Sequence, residues 1–205
     1  MPRSSRSPVL ALATLGALLG TTLGTTLGCQ KGTPSGEPTA MTAEMQTSNV
    51  QVQPVTWPSA ATIDRLVLGA LPDAERAKVA ASPVPVLVPN DPQLLAAGKV
   101  VVDAHWYSFS ARVDGLTVTV AGNRAAHVIE EMPKPQPNRS IRTTQGFVTT
   151  NEGVREASWL ENGVAYVVDV ECYARDDARC AGDDFVLQAA EGLKFVGPAA
   201  PQGSP

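Results

Sequence analysis

Between residues 99 and 123, apolar and polar side chains alternate on both sides of a single Asp114-Gly115 step. Alternation marks strands with one buried face, and an Asp-Gly pair suits a two-residue primed turn. The stretch therefore predicts a hairpin of 99–113 with 116–123. Such a turn sets Val113 against Leu116, Ala111 against Val118, Phe109 against Val120 and Tyr107 against Gly122. The other face receives Arg112 with Thr117, Ser110 with Thr119, Ser108 with Ala121, and Trp106 with Asn123. A one-residue slip would mix the two sets, so the pattern supports its own register. Asn162-Gly163 organises a second hairpin, 154–161 with 164–173, pairing Trp159 with Tyr166 and Ala157 with Val168. Its reverse face sets Glu156 opposite Asp169, which predicts a wet face, because opposed like charges need the screening of water.

Around the hairpins the elements are shorter. Residues 71–82 read as a helix with proline and acids early and Pro83 just past its end; 91–97 supply a further helical turn. The proline-punctuated run 84–89 suits an edge or entry strand. Residues 132–139, with Pro133, Pro135 and Pro137, predict an extended loop, a polyproline ligand being the alternative. Acids ahead of Phe185 and Gly192 near the end bound a helix over 185–193, and 194–196 suit a last short strand. The expected fold class is α+β: an antiparallel sheet built from two hairpins, a few short helices packed on it, and one disulfide. The order strand, loop, helix, short strand over 164–196 resembles the closing unit of PsbP-type α/β sandwiches. That resemblance implies an architecture and carries no functional residue with it.

The amino terminus decides how the cysteines are read. Residues 1–8 hold Arg3 and Arg6 and no acid, and 9–27 are uncharged and mostly Leu, Ala, Gly and Thr. A positive end, an apolar run and small residues before a cut are the order of a secretory signal. Separated arginines favour general export over the twin-arginine type. An uncleaved membrane helix is the alternative, since the run approaches the ~20 residues a span needs, but its Gly and Thr repeats are weak helix formers. Thr26-Leu27-Gly28-Cys29 resembles the bacterial lipobox. The resemblance implies that Cys29 is lipidated and becomes the new amino terminus. Gln30 stands where the enterobacterial pattern has an aspartate for inner-membrane retention, so it implies the outer membrane. The expected organisation is a lipoprotein signal peptide at 1–28, a flexible tether at 29–58, one α+β domain at 59–197 and a disordered tail at 198–205. The tether is Gly, Pro, Ser, Thr, Gln and Glu with almost nothing large and apolar before Val50, too little to offset its ordering entropy.

Charge and chemistry narrow the function. The chain carries 16 basic and 20 acidic side chains; losing Arg3 and Arg6 with the leader gives a mature net charge of −6. That excludes the basic footprint of a nucleic-acid partner. With Cys29 assigned to lipid, Cys172 and Cys180 remain as an even pair in an oxidising compartment, too far apart for a thioredoxin-type motif and without further metal ligands nearby. A structural bridge is expected, closing a short loop worth about 2–3 kcal/mol. Asp176, Asp177, Asp183 and Asp184 lack calcium-loop spacing and read as capping and solvation. His105 and His127 are the only histidines. No nucleophile elbow, phosphate loop or zinc spacing is present, so no catalytic residue, cofactor or metal is assigned.

The expected function is a non-catalytic binding or accessory module, lipid-anchored at the outer membrane, with an envelope protein or cell-wall component as partner. The alternatives are a small envelope hydrolase or metal-dependent enzyme around His105 with Asp103 and His127, or a carrier of an apolar ligand. The possible contact surface is Trp106 with Ser108, Ser110, Thr117 and Thr119, an indole among hydroxyls. The favoured account of that face is nonetheless cover by the helix over 185–193 or the amino-terminal helix, burying Trp106 as core. The anchor is testable on its own. Cys29→Ser should leave unprocessed or soluble chain, and fatty-acid labelling that persists in the Cys29→Ser protein would rule the anchor out.

Overall fold

The structure, a computed structural model, describes residues 50–127 and 135–199. The leader, Cys29, the tether up to residue 49, Pro133 of the proline loop and the tail from 200 lie outside the described residues. In chain order come β1 (Val50–Val52), α1 (Arg65–Ala70), α2 (Asp73–Ala80), β2 (Val86–Val88), α3 (Pro92–Ala97) and β3 (Lys99–Val102). Then follow β4 (Trp106–Val113), β5 (Leu116–Asn123), β6 (Ala125–His127), β7 (Arg139–Ile141), β8 (Thr144–Asn151), β9 (Val154–Glu161) and β10 (Val164–Cys172). A 3-10 turn at Ala178–Cys180, α4 (Asp184–Gly192) and β11 (Lys194–Gly197) close the chain.

The main sheet has seven antiparallel strands in the order β3-β4-β5-β10-β9-β8-β7. Both expected hairpins are present in the expected register, from Trp106↔Asn123 to Val113↔Leu116 and with Trp159↔Tyr166 and Glu156↔Asp169. They lie side by side, because β10 pairs with β5 from Ala165↔Asn123 to Cys172↔Leu116. A sheet of two hairpins was too small a description. The expected single strand 99–113 breaks at Asp103, whose N–H donates to Trp106 O (2.9 Å) while its carboxylate accepts from Ala104 N–H (2.6 Å). This local turn folds β3 back onto β4. At the other edge β7 and β8 extend the second hairpin through the turns Arg142-Thr143 and Glu152-Gly153, all four residues at positive φ. Residues 50–58, placed in the tether by composition, also join the fold. β1 pairs with β6, and Thr56 N–H donates to Asn162 O (2.9 Å).

The core lies on one side of this sheet. A row of partners crosses it: Tyr107, Gly122, Tyr166, Trp159 and Gly146. The rings need the gaps. A Cβ on Gly122 would stand 2.6 Å from Tyr107 Cε1 and 2.8 Å from Tyr166 Cε1, inside contact distance. Trp159 and Tyr166 stack with centroids 5.6 Å apart, and Phe195 of β11 meets Tyr166 edge-on at 6.5 Å. Over the row runs β2, fully buried and, among the described residues, paired only to β11. Free backbone groups of β2 and of Pro85 just before it are met by side chains of the sheet. Tyr107 Oη donates to Leu87 O (3.0 Å) and accepts from Leu87 N–H (2.9 Å), while Tyr166 Oη donates to Pro85 O (2.8 Å). Burial pushes both phenols well above the usual tyrosine range, so neither ionises in ordinary buffers.

The helices close the same side. α3 starts at Asp91, whose carboxylate accepts from Gln93 N–H and Leu94 N–H, with Pro92 in the first turn. α2 blunts the edge of the sheet through buried Glu75, which accepts from Val100 N–H (2.8 Å) and Lys78 Nζ (2.9 Å). Burial alone would raise that carboxyl, but the Val100 N–H and the Lys78 ammonium outweigh it and hold it below its usual value. α4 is fastened at both ends. Arg155 of β9 donates to Cys180 O and to Asp183, and Arg142 donates to Leu193 O (2.9 Å) and Glu161 (2.9 Å). Cys172 and Cys180 are bridged, with Cα atoms 6.1 Å apart.

Two substitutions test this packing. Tyr107→Phe strands the N–H and carbonyl of Leu87 in the core and should cost about 2–3 kcal/mol. Gly122→Ala forces its ring neighbours apart, at about 1–3 kcal/mol. Urea melts read both; unchanged midpoints would show that the row does not hold β2.

Candidate functional site

The side chains that alternate with the core row point to the opposite face of the sheet. There Trp106, Ser108, Ser110, Thr117 and Thr119 are all half-buried, and Ser110 Oγ lies 3.2 Å from Thr119 Oγ1. The helical cover expected over Trp106 is not found. Val186 and Ala190 of α4 and Val67 and Val79 of α1 and α2 belong to the core on the other side, and no described helix packs on the Trp106 face. The physical reason is β2. It needs the tyrosine hydroxyls, and they stand on the Phe109 side, so the layer that contains β2 forms there.

Following the register across the open face separates two zones. One row runs Val101, Ser108, Ala121, Val167, Ser158, Phe147, next to a row of Trp106, Asn123, Ala165 and Leu160. Val101 and Leu160 are 54% and 65% exposed, high for aliphatic side chains in a sheet. A shallow groove of about 450 Å³ lies in this zone, floored by Ala121, Phe147, Leu160, Ala165 and Val167. The neighbouring row runs Lys99, Ser110, Thr119, Asp169, Glu156, Thr149, with Arg112, Thr117 and Glu171 beyond it. At that end Arg112 lies over the Tyr173 ring (4.0 Å), and Tyr173 Oη is 2.6 Å from Thr117 Oγ1. The face is thus half apolar and half charged.

The apolar half was missed by reading alternation alone, although a signal for it exists. Val100-Val101-Val102, Phe147-Val148, Trp159-Leu160 and Val167-Val168 are runs in which adjacent apolar residues must point to opposite faces. Strands written this way are normally covered on both sides.

The histidines give no assembled centre. Arg124 N–H donates to His105 O (3.0 Å), as the register requires; His105 Nδ1 and Arg124 Nε are buried and have no hydrogen-bond partner among the described residues. His127 pairs with Val50 in the small ribbon of β1 and β6. Among the described residues no three His, Cys, Asp or Glu side chains are grouped to hold a metal, so Asp103, His105 and His127 do not form such a site. Two of the acidic residues beside Cys180, Asp177 and Asp183, serve locally. Asp177 accepts from Arg179, whose contact drops the Asp177 carboxyl to about 2, and Asp183 accepts from Arg155.

No family model, no curated protein and no solved structure matches the chain.

One electrostatic feature of the face is measurable. Burial, and then the Glu156 carboxylate across the strand, push the Asp169 carboxyl above its ordinary 3.8. The folded state therefore holds this proton more tightly than the unfolded chain does. Its stability contribution is greatest below 3.8 and declines as pH rises from there through the raised folded value. Asp169→Asn should accordingly stabilise the fold at neutral pH by about 0.2–1 kcal/mol and flatten this part of the pH profile. Melting curves from pH 3 to 8 check it; destabilisation at neutral pH would mean that the pair is not repulsive.

Proposed function

We propose that the chain is a lipoprotein of the bacterial cell envelope, anchored at the outer membrane through Cys29. It acts without catalysis as a binding or accessory module whose open sheet face takes an envelope protein or a cell-wall component. The observation that carries the reading is the apolar half of that face: Leu160 and Val101 stand exposed beside half-buried Phe147 and Val167, where their strands are written for cover. Size agrees. Seven strands at about 4.8 Å spacing and three to nine residues each at about 3.4 Å give a face of roughly 600–800 Å², close to one side of an ordinary interface. The lipobox resemblance supports the address, and the Cys172–Cys180 bridge agrees with an oxidising compartment.

Trp106→Ala and Leu160→Asp test the module. Each alters a side chain on the open face, so each should change stability by less than about 1.5 kcal/mol, where loss of a core indole would cost about 3–5 kcal/mol. Both should weaken retention on envelope extracts or purified cell wall by tenfold or more, since central interface anchors carry most of the binding. Retention equal to wild type in both variants would remove this face from the function; a sharply destabilised Trp106→Ala protein would return Trp106 to the core.

A further inference from the structure

A second groove lies on the helical side of the molecule, between α1, α2 and β11. Its volume is about 470 Å³, within the range of small-molecule sites. Ile63, Leu68, Val79 and Val196 make it apolar, while its charged lining residues are Arg65 and Arg76, with no acid among the residues that form it. The two arginines differ. Arg76 is held by Asp73 and by the carbonyls of Leu71 (2.6 Å) and Gly69 (3.3 Å). Arg65 is exposed and has no ion-pair or hydrogen-bond partner among the described residues, so its guanidinium is available to a ligand.

Gly69 adds an independent observation. It lines the groove from within α1, where glycine is less favourable than alanine. Its φ is not positive, and a Cβ built on it meets nothing within 4 Å, so neither the backbone nor packing calls for glycine. What the missing side chain does is keep the groove wall open. We propose that this groove binds a single-chain anionic amphiphile as a monomer, its acyl chain against Ala60, Ile63, Leu68 and Ala80, over a base formed by buried Val79 and Val196, and its carboxylate or phosphate at Arg65. The site is separate from the open sheet face, and either can fail without the other.

Calorimetric titration of the full chain with octanoate, decanoate and laurate, below their micelle concentrations, tests the site. One site per chain is expected, tightening about fifteenfold for each two-carbon step, the value for two buried methylenes at about 0.8 kcal/mol each. The cationic dodecyltrimethylammonium should bind more weakly than laurate, and Arg65→Gln should reduce that preference about two- to fivefold, as for an exposed ion pair. Gly69→Trp, at a position with open space around it, should melt as wild type does and lose laurate binding. Affinity independent of chain length, equal affinity for cation and anion, or full binding by a folded Gly69→Trp protein would overturn the proposal. Binding to anionic phospholipid vesicles without binding of monomeric laurate would reduce the groove to a membrane contact and overturn it too. Self-association abolished by Gly69→Trp, with no laurate bound, would assign the groove to a second copy of the chain.

Discussion

The fold hangs on three hydrogen bonds made by two tyrosines. A three-residue strand paired on one side only leaves backbone groups that a dry core cannot tolerate. In β2 and the residue before it those groups are met by Tyr107 and Tyr166, which rise from β4 and β10 on either side of β5 and reach Leu87 and Pro85. The rings can stand upright because Gly122 separates them. Once β2 is fixed, β11 pairs with it, Phe195 packs on Tyr166, and α4 arrives at the same side to be clamped by Arg142 and Arg155. The choice of covered face follows from where two hydroxyls point. The opposite face is left open by the same choice.

This explains which parts of the molecule can be read in the chain. Asp114-Gly115 and Asn162-Gly163 specify their turns by local conformational preference, so strand pairing and register follow from them. Arg142-Thr143 makes a turn of the same kind with no such preference, and a β-branched residue at φ 67° is locally unfavourable. It persists because Arg142 is bound from several directions: its N–H by Glu191, its guanidinium by Glu161 and the carbonyl of Leu193. Those partners lie far along the chain, and no inspection of 139–151 alone reveals them. β7 and β8 were invisible for that reason. Val50–Val52 escaped notice differently, since three residues behind a polar stretch offer too little pattern, and β6 supplies the rest.

The candidate surface was half legible. Hairpin arithmetic placed Trp106, Ser108, Ser110, Thr117 and Thr119 together, and the structure has them on one face. What arithmetic within one hairpin cannot supply is the neighbour. Phe147, Leu160 and Val167 come alongside only because β10 pairs with β5 and β8 with β9. The apolar zone is therefore a property of sheet order, assembled from residues that look like local breaks in alternation.

Exposed aliphatic side chains and opposed carboxylates are both unfavourable in an isolated domain, and on the open face of the main sheet Val101 and Leu160 stand on the same surface as the Asp169–Glu156 pair. On the covered side the rules are kept: rings interleave with glycines, and buried backbone groups find hydroxyls. Two such departures side by side on the open face are not explained by the stability of the sheet alone. Their arrangement also limits what can bind. A wholly apolar cover extended over Asp169 and Glu156 would have to desolvate two carboxylates already in conflict. Anything docked on this face would therefore stop at the boundary between the two rows, or reach across it with cationic or hydrogen-bonding groups. Val167 and Asp169, two residues apart on one face of β10, mark where that boundary crosses the middle of the sheet.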